Sequence, residues 1–255
     1  MTAQTHQFMC LSDNFGLLIH DPATGKTAAV DVPEAAPVLA AAKEKGWTIS
    51  HILVTHHHAD HVQGIAEVKQ ATGAEVIANG ADAHRIPLVD QKVAPGGKAT
   101  FGSLVADVID TPGHTVGHIN YHFPADRILA SGDTLFSLGC GRLFEGTPGQ
   151  MWEALKVLRA LPDDTKVFCG HEYTASNAKF AVTVDPDNAA LKARAEEVAT
   201  LRAAGRPTLP TTIGREKATN PFLRADDAAI AATLGMAGRP AAEVFAELRE
   251  RKNKA

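Results

Sequence analysis

The sequence predicts a mixed α/β fold followed by an all-α segment, and three observations support this prediction. Short apolar runs with the character of β-strands recur through the first part of the chain. Helical patterns separate some of these runs, at about 34–45, 62–72 and 148–160. After Tyr173 the strand patterns stop and only helical ones remain. We therefore expect a first domain at residues 1–174 and a small helical domain at residues 175–255.

The predicted strands are short and apolar, as is typical of strands buried inside a fold. In chain order they lie at residues 16–20, 27–31, 52–54, 75–78, 104–109, 118–123, 127–130 and 166–168. The later helices are predicted at about 175–183, 187–204, 225–234 and 240–252. In the second of these, Leu191, Ala195 and Val198 recur at helical spacing between charged residues. That stripe predicts a helix packed against a neighbour.

Composition excludes several classes of protein. The chain has 255 residues, 45% of them hydrophobic, and a net charge of −4, so a sizeable core is expected and nucleic acid is not. No apolar stretch approaches the length of a membrane span, and the N-terminal residues do not resemble a secretory signal. The three cysteines cannot all pair, which favours a reducing cytoplasm. A monomer or small homo-oligomer is expected.

The segment His56-His57-His58-Ala59-Asp60-His61 is the most informative part of the chain. It follows the apolar run 52–54, so it lies where a buried strand ends. Because side chains two apart in an extended chain point the same way, His56 and His58 are predicted to share one metal ion. Asp60 and His61 lie where a helix begins and are placed to reach a second ion. The alternatives are a polar loop or a purification tag, and the internal, interrupted pattern argues against a tag.

Three further histidine or aspartate sites follow predicted strands in the same way. They are His114 in Thr111-Pro112-Gly113-His114, Asp133 in Ser131-Gly132-Asp133-Thr134, and His171 in Cys169-Gly170-His171-Glu172. Each alone is typical of a structural histidine or a turn-forming aspartate. Together with the first cluster they predict a metal site, because imidazole and carboxylate groups suit zinc, iron or manganese.

These motifs resemble those of the metallo-β-lactamase superfamily. T-H-H-H-A-D-H, T-P-G-H-T-x-G-H, G-D-T-L-F and G-H-E-Y occur in the order of that superfamily, over essentially the whole chain. The segments 139–146 and 220–224 are similar to glyoxalase II, the hydroxyacylglutathione hydrolase family. The resemblance implies an αββα sandwich in the first domain, which would hold the metals and perform catalysis. It implies that the helical domain binds substrate.

The resemblance also implies a complete set of metal ligands. A first ion takes His56, His58 and His114, and a second takes Asp60, His61 and His171, with Asp133 bridging the two. Zinc is expected first, with iron or manganese as alternatives. A hydroxide held between the ions then hydrolyses a glutathione thioester, S-D-lactoylglutathione, with Asp60 and Asp133 as the catalytic residues. His57, His118 and His122 do not match ligand positions.

Positive charge is the expected means of substrate recognition, because glutathione carries two carboxylates and one ammonium. The resemblance assigns Arg142, Tyr173, Arg249 and Lys252 to the glutathione. The sequence alone explains Arg249 and Lys252 equally as a solvated basic helix end. Phe144 stands where some relatives have an aromatic hydroxyl, so one hydrogen bond to glutathione is expected to be missing.

Several rival functions share these motifs. A persulfide dioxygenase uses one iron and a similar Gly-Cys-Gly-Arg turn, but the second ligand set and the long helical tail argue against it. In common β-lactam hydrolases the position of Asp133 is cysteine or serine. A lactonase or a nuclease of the superfamily is a further alternative, but the helical tail lacks a broad basic, aromatic-rich surface. The complete set of seven ligands and the basic residues argue against a non-catalytic metal-binding or scaffold protein.

Overall fold

The first sheet places the ends of two parallel strands side by side at the histidine cluster. The structure is a computed structural model that describes residues 2–255. The six strands of this sheet are β1 (Gln4–Cys10), β2 (Asn14–Asp21), β3 (Lys26–Val30), β4 (Thr48–Leu53), β5 (Glu75–Asn79) and β6 (Gln91–Val93). They are ordered β1-β2-β3-β4-β5-β6, antiparallel up to β3 and parallel from there to β6. Val30 pairs with Leu53, so the residues that follow β3 and β4 emerge at the same edge.

Helices cover one face of this sheet because parallel strands need crossover connections. They are α1 (Ala35–Lys45), α2 (Ala59–Val62) and α3 (Ile65–Thr72). Val38 of α1 and Ile65 and Val68 of α3 pack into one buried cluster with Ile52 and Val76 of the sheet. The helix expected at about 62–72 corresponds to α3, which begins at Ile65 with Gly64 as its N-cap. A separate short helix, α2, precedes it and ends at Val62.

A second, antiparallel sheet packs against the first. Four of its strands lie between residues 98 and 132. They are β7 (Lys98–Phe101), β8 (Leu104–Asp110), β9 (Ile119–Phe123) and β10 (Ile128–Gly132). Tyr121 of β9 is fully buried, and its hydroxyl donates to the carbonyl of Val54, 3.0 Å away, just beyond β4. The contact ties the second sheet to the chain that leads into the histidine cluster.

These sheets and helices form one of the two compact units into which the chain divides. That unit comprises residues up to Asp110 together with Gly117–Gly132, and the other comprises Thr111–Val116 and Asp133–Ala255. The units are not continuous in sequence, because Thr111–Val116 belongs to the second unit but lies between two segments of the first. The domain boundary expected between residues 174 and 175 remains a prediction.

The second unit is mostly helical. Its helices are α4 (Pro148–Arg159), α5 (Thr174–Val184), α6 (Ala189–Ala203), α7 (Ile213–Thr219), α8 (Ala228–Thr233) and α9 (Ala241–Asn253), with a 3-10 turn at Pro221–Leu223. Its strands are β11 (Leu135–Phe136), β12 (Gly139–Cys140), β13 (Lys166–Cys169) and β14 (Thr211–Thr212). The expectation that strands stop after Tyr173 is wrong at β14, which pairs with β13. Two residues are too few to show a periodic pattern.

A buried carboxylate holds the turn between β11 and β12. Glu216 accepts hydrogen bonds from the backbone N–H of Leu138 (2.7 Å), the Thr211 hydroxyl (2.7 Å) and the Asn220 amide (3.0 Å). Asn220 also donates to the carbonyl of Gly139 at 3.0 Å. Burial raises the pKa of Glu216. The network fixes the start of the Gly139–Arg142 turn against α7.

Candidate metal centre

In the first unit, His56 and His58 direct ring nitrogens at one point. The chain leaves β4 at Leu53, and His56 is fully buried while His58 is half-buried. Nε2 of His56 and Nδ1 of His58 lie 3.2 Å apart. Two nitrogens bound to one tetrahedral zinc ion at 2.0–2.1 Å are separated by roughly 3.3 Å. The pair therefore has the spacing of two ligands to one ion.

Asp60 and His61 occupy the first turn of α2. Nε2 of His61 lies 3.7 Å from Oδ2 of Asp60, and His61 is almost fully buried. Asn14, which is also buried, donates from its side-chain amide to Oδ2 of Asp60 at 3.1 Å. The same amide lies 3.1 Å from the backbone carbonyl of Asp60. Asn14 thus determines the direction in which this carboxylate points.

The other two histidines near this cluster have different neighbours. His57 turns towards Asp82, with Nδ1 and Oδ2 separated by 3.1 Å. The His118 ring stacks on that of His56, with centroids 4.8 Å apart and planes inclined by 25°. Both side chains therefore support the shape of the loop around His56.

In the second unit, Asp133 lies between two histidines. Its Oδ2 is 3.5 Å from Nε2 of His114 and 3.3 Å from Nε2 of His171. Nδ1 of His114 lies 2.8 Å from the carbonyl of Arg142, which can only accept, so this nitrogen carries the proton. Nε2 of His114 then has the lone pair that metal binding needs. The carboxylate and the two imidazoles therefore also have the spacing of ligands to a metal ion.

Gly141 is required for this arrangement. A Cβ atom at Gly141 would lie 2.0 Å from the carbonyl oxygen of Asp133 and 3.1 Å from Nδ1 of His114. Any side chain would push the turn away from both ligands. The glycine in the Gly139–Arg142 turn thus serves the close approach of backbone to the candidate centre.

The predicted substrate residues in this unit differ in exposure. Arg142 is exposed and Lys252 is half-buried, whereas Arg249 is only 5% exposed. The Arg249 guanidinium donates to the carbonyl of Cys140 at 2.8 Å and lies over the Phe222 ring. Partial burial, followed by the charges of Arg249 and Arg142, lowers the pKa of Lys252. Both arginines therefore act electrostatically on Lys252.

Two aromatic rings accompany the histidines of the second unit. The Tyr173 ring stacks on that of His171 with centroids 4.6 Å apart and planes within 5°, and it is 37% exposed. Phe144 meets the His114 ring edge-on at 5.3 Å and is 64% exposed. Each exposed ring therefore lies directly beside a candidate ligand.

The cysteines do not have the properties of nucleophiles. Cys10, Cys140 and Cys169 are all buried, and burial raises the pKa of each thiol, to about 12 for Cys10 and Cys169. Because the thiolate is the reactive form, iodoacetamide at pH 8 should leave the native protein unmodified while labelling three cysteines after unfolding. Mass spectrometry measures this. Rapid labelling of Cys140 or Cys169 with loss of activity would instead assign that thiol a catalytic role.

Sequence reasoning overlooked the residues that orient the ligands. Asn14, Asp31, Thr55 and the carbonyl of Arg142 all contact candidate ligands. The position of Asp31, directly after a strand, is the one signal that would have singled it out. The donors themselves are imidazole nitrogens and carboxylate oxygens in both units, so their chemistry fits divalent zinc, iron or manganese.

Comparison with known proteins covers the whole chain. The model of the metallo-β-lactamase superfamily matches residues 13–171, and that of the hydroxyacylglutathione hydrolase C-terminus matches residues 172–255. Two proteins named hydroxyacylglutathione hydrolase are similar to this chain. The one from Rhodopseudomonas palustris (strain BisB18) is 58% identical and the one from Bradyrhizobium sp. (strain ORS 278) is 59% identical. Each alignment covers 100% of both chains.

Solved structures agree on the fold. ETHE1 from Myxococcus xanthus superposes with a TM-score of 0.71 at 26% identity, covering 98% of this chain and 91% of that one. TTHA1623 in a di-iron-bound form gives a TM-score of 0.62 at 24% identity, covering 86% and 99%. The predicted fold class, a metallo-β-lactamase fold with a C-terminal helical region, is confirmed. No helix among residues 2–255 is long and apolar enough to cross a membrane.

Proposed function

This chain belongs to the hydroxyacylglutathione hydrolase family of the metallo-β-lactamase superfamily, and on that premise we propose how its residues perform thioester hydrolysis. It is a thioester hydrolase that converts S-(2-hydroxyacyl)glutathione and water to glutathione and a 2-hydroxy acid. With S-D-lactoylglutathione the acid is D-lactate, the second step of methylglyoxal detoxification. The observation that supports this function is the sequence identity of 58% and 59% to the two hydroxyacylglutathione hydrolases, over the full length of each chain.

The reaction needs two metal ions, and the chain has the side chains for both. His56, His58 and His114 would hold one ion, Asp60, His61 and His171 would hold the other, and Asp133 would serve as a ligand to both. The 3.2 Å spacing of the His56 and His58 nitrogens supports the first half of this assignment. The short distances from Asp133 to His114 and His171 support its role as a shared ligand. Zinc is the first choice of metal, with iron or manganese as alternatives.

The leaving group explains why no strong proton donor is needed. When bound, the two ions supply a water of lowered pKa as the nucleophile and positive charge that polarises the thioester carbonyl. The departing glutathione sulfur leaves as a thiolate, since free thiols have a pKa near ~8.5. Asp60, held by the Asn14 amide, orients the attacking water. The buried cysteines take no covalent part.

Glutathione is held by cations of the second unit. Arg142 and Lys252 bind its carboxylates, and the Tyr173 hydroxyl binds its backbone. Arg249 contributes charge to the same region, but its buried guanidinium also supports the Cys140 carbonyl. The exposed Phe144 ring has no hydroxyl to offer, so one hydrogen bond available to relatives with an aromatic hydroxyl is absent.

We propose that the protein is located in the reducing cytoplasm, as a monomer or small homo-oligomer. The three unpaired cysteines are consistent with that location.

The test pairs metal content with two activities. We expect about two metal ions per chain by elemental analysis and rapid hydrolysis of S-D-lactoylglutathione, followed by loss of thioester absorbance. Oxygen uptake on glutathione persulfide should stay at background. One iron per chain with oxygen uptake and no thioester hydrolysis would establish a persulfide dioxygenase instead.

A further inference from the structure

A buried carboxylate separates a proposed metal ligand from a proposed substrate residue. Glu172 stands between His171 and Tyr173 in the sequence, and its side chain is only 2% exposed. The His171 and Tyr173 rings, here called the ring pair, stack with centroids 4.6 Å apart and planes within 5°. In an extended segment, side chains two apart share one side and the one between them faces the other. Glu172 therefore extends behind the ring pair.

Both oxygens of the Glu172 carboxylate are held by one residue. Oε2 accepts a hydrogen bond from the backbone N–H of Thr208 at 2.8 Å, and Oε1 accepts one from the Thr208 hydroxyl at 2.7 Å. The guanidinium of Arg202 lies 3.7 Å from Oε2. Because a buried carboxylate without hydrogen-bond donors is unfavourable, Glu172 is bound to stay beside Thr208.

Thr208 is itself fixed by its surroundings. It is 4% exposed, and its carbonyl accepts a hydrogen bond at 2.9 Å from the guanidinium of Arg194, which is equally buried. Its hydroxyl lies 2.6 Å from that of Thr174, the first residue of α5. Thr208 is thus held at its N–H, its hydroxyl and its carbonyl, and it provides a fixed anchor for Glu172.

The ring pair also packs against one buried ring of β11. The Phe136 ring, 5% exposed, meets the His171 ring at 6.0 Å and the Tyr173 ring at 5.5 Å, with planes at 87° and 88°. Both rings therefore contact the same edge-on neighbour. A rotation of the segment 171–173 about its own axis would move them together.

We propose that Glu172 is a positioning residue that fixes the ring pair, so that metal binding and glutathione binding depend on its contact with Thr208. This inference rests on the proposed function, in which His171 is a ligand and the Tyr173 hydroxyl binds glutathione. It involves residues of the second unit only. Loss of the anchor should alter both kinds of binding, although the carboxylate faces Thr208 rather than either ring.

The decisive variant is Glu172→Met, which keeps the length of the side chain but offers Thr208 no strong acceptor. We expect zinc affinity at the site of His171 to fall about 10-fold in competition with a chelator. We expect KM for S-D-lactoylglutathione, measured at saturating zinc, to rise about 2–10-fold, as for the loss of one neutral hydrogen bond. Glu172→Gln should restore both, because its amide oxygen can still accept from the Thr208 N–H.

A double-mutant cycle shows whether Glu172 acts on substrate through Tyr173. Tyr173→Phe keeps the stacked ring and removes the hydroxyl, so it should raise KM about 2–10-fold and leave zinc affinity unchanged. If Glu172 affects KM by placing that hydroxyl, Glu172→Met should raise KM no further in the Tyr173→Phe background. A purely structural role would instead give additive effects.

Thr208→Val is a milder change that remains informative if Glu172→Met fails to fold. It removes the hydroxyl donor but keeps the N–H donor and the approximate side-chain volume. Zinc affinity should fall and KM should rise, each by a smaller factor than in Glu172→Met. Thr208→Ser should behave like the parent, because it retains the hydroxyl.

Asp185→Asn is the matched control for damage to α5. Asp185 is buried at the opposite end of that helix from Tyr173, where it accepts hydrogen bonds from Asn188 and Arg224. It should leave zinc affinity and KM unchanged, whatever it does to thermal stability.

The outcomes are distinguishable from failure of the proposed function. Unchanged zinc affinity, unchanged KM, or additive effects with Tyr173→Phe would overturn the role of Glu172 while leaving two-metal hydrolysis intact. A parent protein that binds fewer than two ions and does not cleave S-D-lactoylglutathione would overturn the proposed function itself.

Discussion

Replacement of Asp133 by alanine is expected to reduce thioester hydrolysis by about three orders of magnitude or more. That factor corresponds to about 4 kcal/mol of lost transition-state stabilisation. The physical reason is that one carboxylate oxygen lies within 3.5 Å of Nε2 of both His114 and His171. Without it, two ions would share no protein ligand, and their mutual repulsion would be less screened. Metal content should fall to one ion per chain or fewer.

The measurement combines elemental analysis of the purified variant with kcat for S-D-lactoylglutathione. Asp163→Ala is a suitable control, because Asp163 is exposed in the same unit and pairs with Lys217 on the surface. Two ions per chain and near-normal turnover in Asp133→Ala would refute the proposed bridging role. Loss of bound metal and of turnover in Asp163→Ala would mean that the assay reports only damage to folding.

The second large effect is expected on substrate binding rather than on chemistry. Arg142→Met with Lys252→Met removes two cations and keeps most of the apolar side-chain volume. A charge-assisted hydrogen bond is worth about 1.5–3 kcal/mol when well formed and less when exposed. Because Arg142 is exposed and Lys252 half-buried, we expect KM for S-D-lactoylglutathione to rise about 10–100-fold, with metal content unchanged.

Steady-state kinetics on two substrates tests this assignment. A small thioester without glutathione carboxylates should be cleaved equally by parent and variant. Lys254→Met is the matched control, since Lys254 ends the same helix and pairs with Glu250. If kcat stays constant while KM rises, the lost interaction was uniform binding; if kcat also falls, the cations help to orient the carbonyl. An unchanged KM would show that these two cations do not bind the substrate.

Arg249 requires separate treatment because the structure gives it two contacts that sequence could not predict. Helical spacing places Arg249 and Lys252 on one face, and the basic helix end alone favours exposure for both. In the structure Arg249 is buried against Phe222 and bonded to the Cys140 carbonyl, 109 residues away in sequence. Its removal would therefore disturb the Gly139–Arg142 turn as well as remove a charge. Spacing along a helix cannot reveal a neighbour that distant.

The fold class, the family and the chemical character of the candidate ligands could all be predicted from the sequence. Strand runs that end in histidine or aspartate are local patterns, and a strand followed by a tight loop needs little more than the residues within it. The order of the motifs then identified the superfamily. This is why the fold class was predicted correctly, although the patterns missed β1, β6, β7 and α7 as well as the two-residue strand β14.

The residues that support those ligands could not be predicted and are known from the three-dimensional structure. Asp31 lies 24 positions before Thr55 and 30 before His61, and the parallel pairing of β3 with β4 brings the three together. Asn14 reaches Asp60 across 46 positions in the same way. Such contacts depend on strand order and register, which are set by packing of the whole sheet rather than by the residues nearby. Proton positions on the histidines follow from those contacts, and so they too belong to the tertiary structure.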